Sequence, residues 1–173
     1  MAPDNEKRLS AEQQIERMRA EYPGFALQYA TPWLILWRGE LQPLARPYEV
    51  QVLYCAISMP LAAIERFEPH VEVVQPLLAR RPAAPDTPIP HIFPNRVFPD
   101  RPRLCLYQGA EWTPALYIAD TILLWTIEWL VAYECWRTTG LWLAGGHGTE
   151  RDDMPHREHR AKAASWMKRG RRS

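Results

Sequence analysis

The segment Tyr48-Glu-Val-Gln-Val-Leu-Tyr54 alternates apolar and polar side chains along its whole length. Successive side chains of a β-strand point to opposite faces of the sheet, so this alternation predicts a strand with one buried and one solvated face. Trp33-Leu-Ile-Leu-Trp37, a compact apolar run closed by Gly39, precedes it, and Val71-Glu-Val-Val74, ended by Pro76, follows it. Three successive strands separated by turn residues predict an antiparallel meander.

Helices are predicted on both sides of this meander. Ser10 and Gln13 match a capping box, in which two side chains satisfy free backbone donors, so a helix should begin there and run to about Glu21. Residues 119–138 are predicted as the main helix, ended by Gly140, because apolar side chains recur at helical spacing on one face. Five residues form that face: Ile122, Trp125, Trp129, Tyr133 and Trp136.

The chain between the meander and the main helix is rich in proline. Residues 76–102 hold eight of the 17 prolines, and at this density neither a helix nor a central strand forms, because each proline removes a backbone donor and fixes φ. Long irregular segments inside a compact domain are uncommon and are more often functional than passive. The short run Arg103-Leu-Cys-Leu-Tyr107 follows directly, so the proline-rich segment leads to a cysteine.

Composition narrows the class of protein. The chain has 173 residues, enough for one domain with its own core, and 47% hydrophobic residues exclude a disordered proline-rich chain. Its three cysteines, Cys55, Cys105 and Cys135, form no CxxC pair, so neither a disulfide framework nor a zinc finger is indicated. The longest apolar run, residues 122–133, is interrupted by Glu128 and is too short to span a bilayer. We therefore expect a cytoplasmic protein that binds no membrane.

Charge and motifs exclude several further activities. The formal net charge is +1, although residues 151–173 carry eight Lys or Arg against three acids, so the whole-chain balance disfavours nucleic-acid binding. No GxxxxGKS/T, GxGxxG or HExxH pattern occurs, so no nucleotide, dinucleotide or metalloprotease site is indicated, and no cofactor is predicted. Nothing in the sequence is therefore expected to adenylate a carboxylate.

Cys105 is the strongest candidate for chemistry. Rigid proline-rich backbone before it and Trp112-Thr-Pro114 after it would hold a thiol at a surface, as nucleophilic catalysis requires. The alternative is a buried core cysteine, since free cysteine packs as a small hydrophobe and Leu104 and Leu106 flank it. Spacing alone leaves both interpretations open.

Motifs around this cysteine are similar to a known family. His91-Ile-Phe-Pro-Asn-Arg96, followed by Arg103-Leu-Cys-Leu-Tyr107 and Trp112-Thr-Pro114, resembles the ubiquitin-conjugating-enzyme (E2) signature, in which a His-Pro-Asn element precedes the catalytic Cys-Leu and a Trp-x-Pro follows. The tryptophan-rich stretch 125–136, together with Gly145-Gly-His147, is similar to the bacterial E2-like proteins encoded in type II CBASS antiphage operons beside a cGAS-like nucleotidyltransferase.

The resemblance covers residues 10–148 and implies an α+β protein of ubiquitin-conjugating-enzyme (UBC-like) fold. Such a fold has an N-terminal helix, an antiparallel meander sheet, a long irregular active-site segment and C-terminal helices packed on the sheet. The chain is accordingly predicted to comprise a flexible N-terminus at residues 1–9, the UBC-like domain at 10–148 and a basic C-terminal tail at 149–173.

The resemblance also implies a reaction. Cys105 would take the C-terminus of the partner cGAS-like nucleotidyltransferase as a thioester and transfer it to a target, which primes the partner for signalling. The activated acyl group would come from another protein, such as a separate activating enzyme, or by an unusual route. Trp112 and Tyr107 are expected to bind the substrate beside the thiol.

The match to the family is interrupted at one element. In the family His-Pro-Asn is continuous, whereas Ile92-Phe93 separate His91 from Pro94-Asn95 here. His91 is interpreted as the structural histidine of the motif, and Asn95 as a candidate oxyanion donor. His147, after two glycines, is a further catalytic candidate if its loop folds over Cys105, and an exposed loop histidine otherwise.

Two other functions fit the same residues. A non-catalytic interaction module of the same fold would bind a protein tail in its cleft, and the broken His-Pro-Asn element favours this interpretation. An adaptor would act through the basic tail, where Lys168-Arg-Gly-Arg-Arg172 offers a charged surface.

Overall fold

The computed structural model describes residues 8–44, 46–55 and 69–143. Within these ranges two α-helices, six β-strands and one 3₁₀ turn form in the order α1 (Ala11–Glu21), β1 (Ala26–Ala30), β2 (Leu34–Leu41), β3 (Tyr48–Cys55), β4 (His70–Gln75), β5 (Ile92–Phe93), β6 (Arg103–Leu104), the 3₁₀ turn (Gly109–Glu111) and α2 (Ile122–Thr139). The predicted α+β class is confirmed.

The six strands form one antiparallel sheet in the order β1-β2-β3-β4-β6-β5. The predicted meander corresponds to β2, β3 and β4, while β1 and β5 were not expected from the sequence. Gly39 was predicted to close its strand, and this prediction is wrong because β2 continues through it to Leu41. The ring of Phe25 lies over Gly39, where a Cβ would meet it at 2.5 Å, so this glycine serves close packing rather than a turn.

The core lies between the sheet and α2. Alternate residues of β3, beginning with Tyr48 and ending with Tyr54, are buried, as the alternation predicted. Tyr133 of α2 packs edge-on against Tyr48, with ring centroids 6.4 Å apart. All five residues of the predicted apolar helix face are buried in the same core: Ile122, Trp125, Trp129, Tyr133 and Trp136.

The start of α1 and the end of α2 follow their predicted caps. Ser10 accepts a hydrogen bond from the backbone N–H of Gln13, whose side chain accepts one in return from Ser10. Gly140 ends α2 with φ 86°, a left-handed conformation that favours glycine. The helix begins at Ile122 rather than Ala119, because the preceding residues form turns.

The first helix is fixed to the segment that precedes α2. Gln14 is fully buried, and its amide donates to the backbone oxygen of Leu116 and accepts from the backbone N–H of Ile118, both at 2.9 Å. Arg17 forms an ion pair with Asp120 at 3.0 Å. These long-range bonds join α1 to the segment that leads into α2.

Two further sequence predictions concern the limits of the domain and the absence of a membrane-spanning segment. In the part of the chain that the structure describes, α2 is the C-terminal helix, and the predicted domain limits at residues 9 and 148 stay predictions. Across the same described ranges, no helix has the length and apolar character that crossing a membrane requires.

Candidate active site

Cys105 lies directly after β6 and is half-buried. Its backbone N–H donates to the carbonyl of His91 at 2.9 Å, which extends the short ladder between β5 and β6 by one hydrogen bond. In that ladder Ile92 pairs with Leu104 and Phe93 pairs with Arg103. The irregular segment that was predicted before Cys105 therefore contains a small hairpin, and this hairpin holds the backbone of the cysteine.

The surroundings of the thiol favour its protonated form. Burial raises the pKa of the Cys105 thiol, because the charged thiolate loses hydration there. The thiolate is the nucleophilic form of cysteine, so burial lowers its population at neutral pH.

His91 borders Cys105 through its backbone. The residue has φ 53°, a left-handed conformation that is uncommon for residues other than glycine, although Asn, Asp and His adopt it more often than the rest. Its carbonyl accepts from the indole N–H of Trp129 at 3.0 Å as well as from Cys105. Its imidazole ring lies 4.9 Å from the ring of Trp142. The structure thus brings His91 next to the thiol-bearing residue, and a catalytic part for its imidazole stays a prediction.

Asn95 organises the loop that follows β5. Its side-chain amide donates to Oε1 of Glu72 at 2.8 Å and to the backbone oxygen of Arg101 at 3.0 Å. Its side-chain oxygen accepts from the backbone N–H groups of Val97 and Phe98. Both amide hydrogens are engaged, so donation to an oxyanion would require one of these bonds to open; this assignment stays a prediction.

Glu72 is a residue that sequence reasoning missed. It lies on β4, half-buried, and burial raises the pKa of its carboxyl group against the opposing effects of Asn95, Arg101 and Arg103. Its alternation with valines in β4 indicated a solvated position. Its partner Asn95 lies 23 residues further along the chain, which no local pattern reveals.

Trp112 and Tyr107 belong to an aromatic cluster with Tyr54 and Trp125. The Trp112 side chain is 5% exposed and packs edge-on against Tyr54, with centroids 5.6 Å apart. Tyr107 is half-buried and lies 6.4 Å from Trp112 and 5.4 Å from Trp125, measured between ring centroids. Tyr107 therefore offers more surface to a ligand than Trp112, and substrate binding by either stays a prediction.

The remaining candidate residues are His147 and the two other cysteines. His147 falls outside the described residues. Cys55 ends β3, where burial raises the pKa of its thiol, and Cys135 lies on α2; both are half-buried. Among residues 8–44, 46–55 and 69–143, no three His, Cys, Asp or Glu side chains group as ligands for a metal ion.

Comparison with models of protein families identifies a family that this chain matches. A family model described as Type II CBASS E2 protein matches residues 14–150, which is more than half of the chain. The matched range includes both helices in large part, the whole described sheet and Cys105. No curated protein matches the chain.

Proposed function

The chain belongs to the Type II CBASS E2 protein family, and from that premise we propose that it is an E2-like conjugating enzyme of UBC-like fold in a bacterial antiviral system. Cys105 carries the C-terminus of a partner cGAS-like nucleotidyltransferase as a thioester and transfers it to a target. The transfer primes the partner for signalling.

One observation carries this proposal. Cys105 is the first residue after a hairpin strand, its backbone is fixed to His91 at 2.9 Å, and its side chain is half-buried. A nucleophile acts efficiently when the reacting atom is held in a defined position at a partly accessible surface. A cysteine whose only role was to fill the core would not need this placement at the sheet edge.

The chemistry has two balanced steps. In the first, Sγ of Cys105 attacks the activated C-terminal carbonyl carbon of the partner, the S–C bond forms, and the activating group departs with its electron pair and takes up the proton of the thiol. In the second, an amine of the target attacks the same carbon, the C–S bond breaks, and the departing sulfur takes up the proton that the amine loses, which regenerates the thiol. The thioester retains enough acyl-transfer potential for this second step.

The activated carbonyl comes from outside the chain. The sequence contains no nucleotide-binding pattern with which to adenylate a carboxylate. We propose that a separate activating enzyme supplies the partner's C-terminus in activated form. Asn95 and His147 remain candidates for assisting the acyl transfer, Asn95 by moving its amide from Glu72 to the oxyanion.

A synthetic substrate tests the proposal without the activating enzyme. The C-terminal peptide of the partner nucleotidyltransferase, prepared as a thioester of a small thiol, is incubated with the chain, and the product is examined by intact mass and on a non-reducing gel. We expect one peptide adduct that reducing agent removes. Cys105→Ala should abolish it, Cys105→Ser should trap an oxyester that resists reducing agent, and Cys55→Ala and Cys135→Ala serve as matched controls that should retain it.

The same experiment separates the alternative functions. Non-covalent binding of the peptide with no adduct would support the non-catalytic module, an interpretation that the engaged amide of Asn95 and the raised pKa of the Cys105 thiol favour. Truncation of residues 151–173 should leave adduct formation intact. Loss of partner binding on that truncation would support the adaptor that acts through the basic tail.

A further inference from the structure

The hairpin that carries Cys105 has little stability of its own. The ladder between β5 and β6 contains two residue pairs, and β6 joins the rest of the sheet through one pair, Glu72 with Arg103. A hairpin of this length is not stable in water without further packing. Other contacts must therefore hold Cys105 in place.

The indole of Trp129 provides such a contact. Its N–H donates to the carbonyl of His91 at 3.0 Å, the same carbonyl that accepts from the backbone N–H of Cys105 at 2.9 Å. Trp129 is 4% exposed and belongs to α2, the most extensively buried helix of the described residues. One backbone oxygen thus joins the reactive hairpin to the rigid core.

The backbone of His91 has an uncommon conformation that the Trp129 bond helps to hold. Its left-handed φ of 53° is rare for residues other than glycine, although histidine adopts it more readily than most side chains. Residues held in such conformations cluster at functional sites. The Trp129 bond opposes relaxation of the hairpin, because rotation of the His91 carbonyl would leave a buried indole donor without a partner.

We infer that Trp129 is a positioning residue for Cys105, which acts through the His91 carbonyl to fix the end of β6. Its effect on acyl transfer rests on the proposed function, whereas its effect on the Cys105 backbone does not. Trp129 does not touch the reacting atoms; it determines where the thiol lies when the carbonyl arrives.

The variant that tests this is Trp129→Phe, which removes the N–H and keeps an aromatic ring in the core. Trp142→Phe is the matched control, because Trp142 also packs beside His91 but its buried indole N–H has no hydrogen-bond partner among the residues that the structure describes. Three measurements are made on each: hydrogen exchange of the Cys105 amide, alkylation of Cys105 followed by peptide mass spectrometry, and adduct formation with the synthetic thioester.

In Trp129→Phe we expect exchange of the Cys105 amide to become about five- to tenfold faster, since one hydrogen bond of ordinary strength is lost. Alkylation of Cys105 should become about threefold faster as its thiol gains water, while adduct formation becomes about tenfold slower as the thiol loses its position. Opposite signs for alkylation and transfer distinguish positioning from a merely structural role, which lowers thermal stability without separating them.

Equal effects of Trp129→Phe and Trp142→Phe on the Cys105 amide would overturn the inference, because ring volume rather than the hydrogen bond would then be responsible. Unchanged exchange in a folded Trp129→Phe protein would overturn it as well. Wild-type protein that forms no adduct contradicts the proposed function alone, and the exchange and alkylation measurements still decide the role of Trp129.

Discussion

The two ends of the sheet are held together by different means. Toward the end that carries β1, the strands β2 and β3 pair over eight residues, and their inner side chains form part of the core. At the other end β5 and β6 pair over two residues, and side-chain bonds from Trp129 and Asn95 to nearby backbone supplement them. The structure of the first end should be little altered by a single substitution, because many contacts stabilise it. The second end depends on a few bonds, so single substitutions there should alter the site with little loss of global stability.

The largest expected effect comes from removing a buried side chain of the long ladder between β2 and β3. Ile35→Ala on β2 removes a fully buried side chain and should lower the free energy of unfolding by about 3 kcal/mol, through lost burial and the cavity left behind. Urea unfolding followed by fluorescence measures it. The neighbouring Leu34→Ala, on the half-buried opposite face, should cost clearly less. Equal costs would mean that this ladder is not anchored through its inner face.

Asn95 tests the short end. Asn95→Ala removes four hydrogen bonds and should destabilise the protein by about 1–2 kcal/mol, since much of the loop is open to water. Exchange of the Val97 and Phe98 amides should accelerate selectively. Asn95→Asp keeps the acceptor but sets a carboxylate against Glu72, so at pH 7 it should be less stable than the alanine variant. That difference should shrink as acid protonates the pair, and a gap that persists at low pH would contradict the Glu72 contact.

The thiol gives a prediction that depends on pH. Because burial raises the pKa of Cys105, its alkylation rate should rise with pH at a higher midpoint than that of a cysteine in an unfolded peptide. The unfolded chain loses this proton first, so the contribution of Cys105 to stability should fall as pH rises above the ordinary thiol range. A midpoint below that of the peptide would indicate a stabilised thiolate instead.

The smallest effect concerns Glu72. Burial raises the pKa of its carboxyl group, so ionisation is less favourable in the folded protein, and the contribution of Glu72 to stability should decline as pH rises through the carboxyl range. Glu72→Gln, which can still accept from Asn95, should match wild type near pH 3 and equal or exceed it at pH 7. Glu49→Gln on β3 is the control, because it removes the ion pair to Arg38 and should bring no gain. Melting temperatures of the wild type and of both variants, measured across this pH range, test the expectation.

Sequence patterns predicted the strands β2, β3 and β4 but did not predict β5 at the other end of the sheet. The alternation of residues 48–54 and the helical spacing of Trp129 and its neighbours reflect burial on one face, which is a local property. By contrast, β5 is defined by its partner strand, and its two residues carry no period of their own. The left-handed conformation of His91 was hidden because the residue is not glycine.

The residues of the candidate site also differ in how far the sequence could predict their roles. The motif around Cys105 could be found from the sequence, because its residue types and order are similar to those of a family. The spacing of Trp129 predicted burial, but its indole N–H meets the His91 carbonyl only after α2 packs beside the hairpin. The bond between Asn95 and Glu72 likewise joins residues whose proximity depends on the finished fold.

The position of the reactive hairpin at the sheet edge also bears on how this protein can diverge. The proline-rich segment leaves β4 at Gln75 and returns at Arg103, which pairs with β4 again. Closing a longer loop adds only about 0.6 kcal/mol for each doubling of its length. Insertions in the part of this excursion that precedes β5 therefore cost little chain entropy. The surface beside Cys105 can acquire new partner preferences while the thiol itself stays where the core and Trp129 hold it.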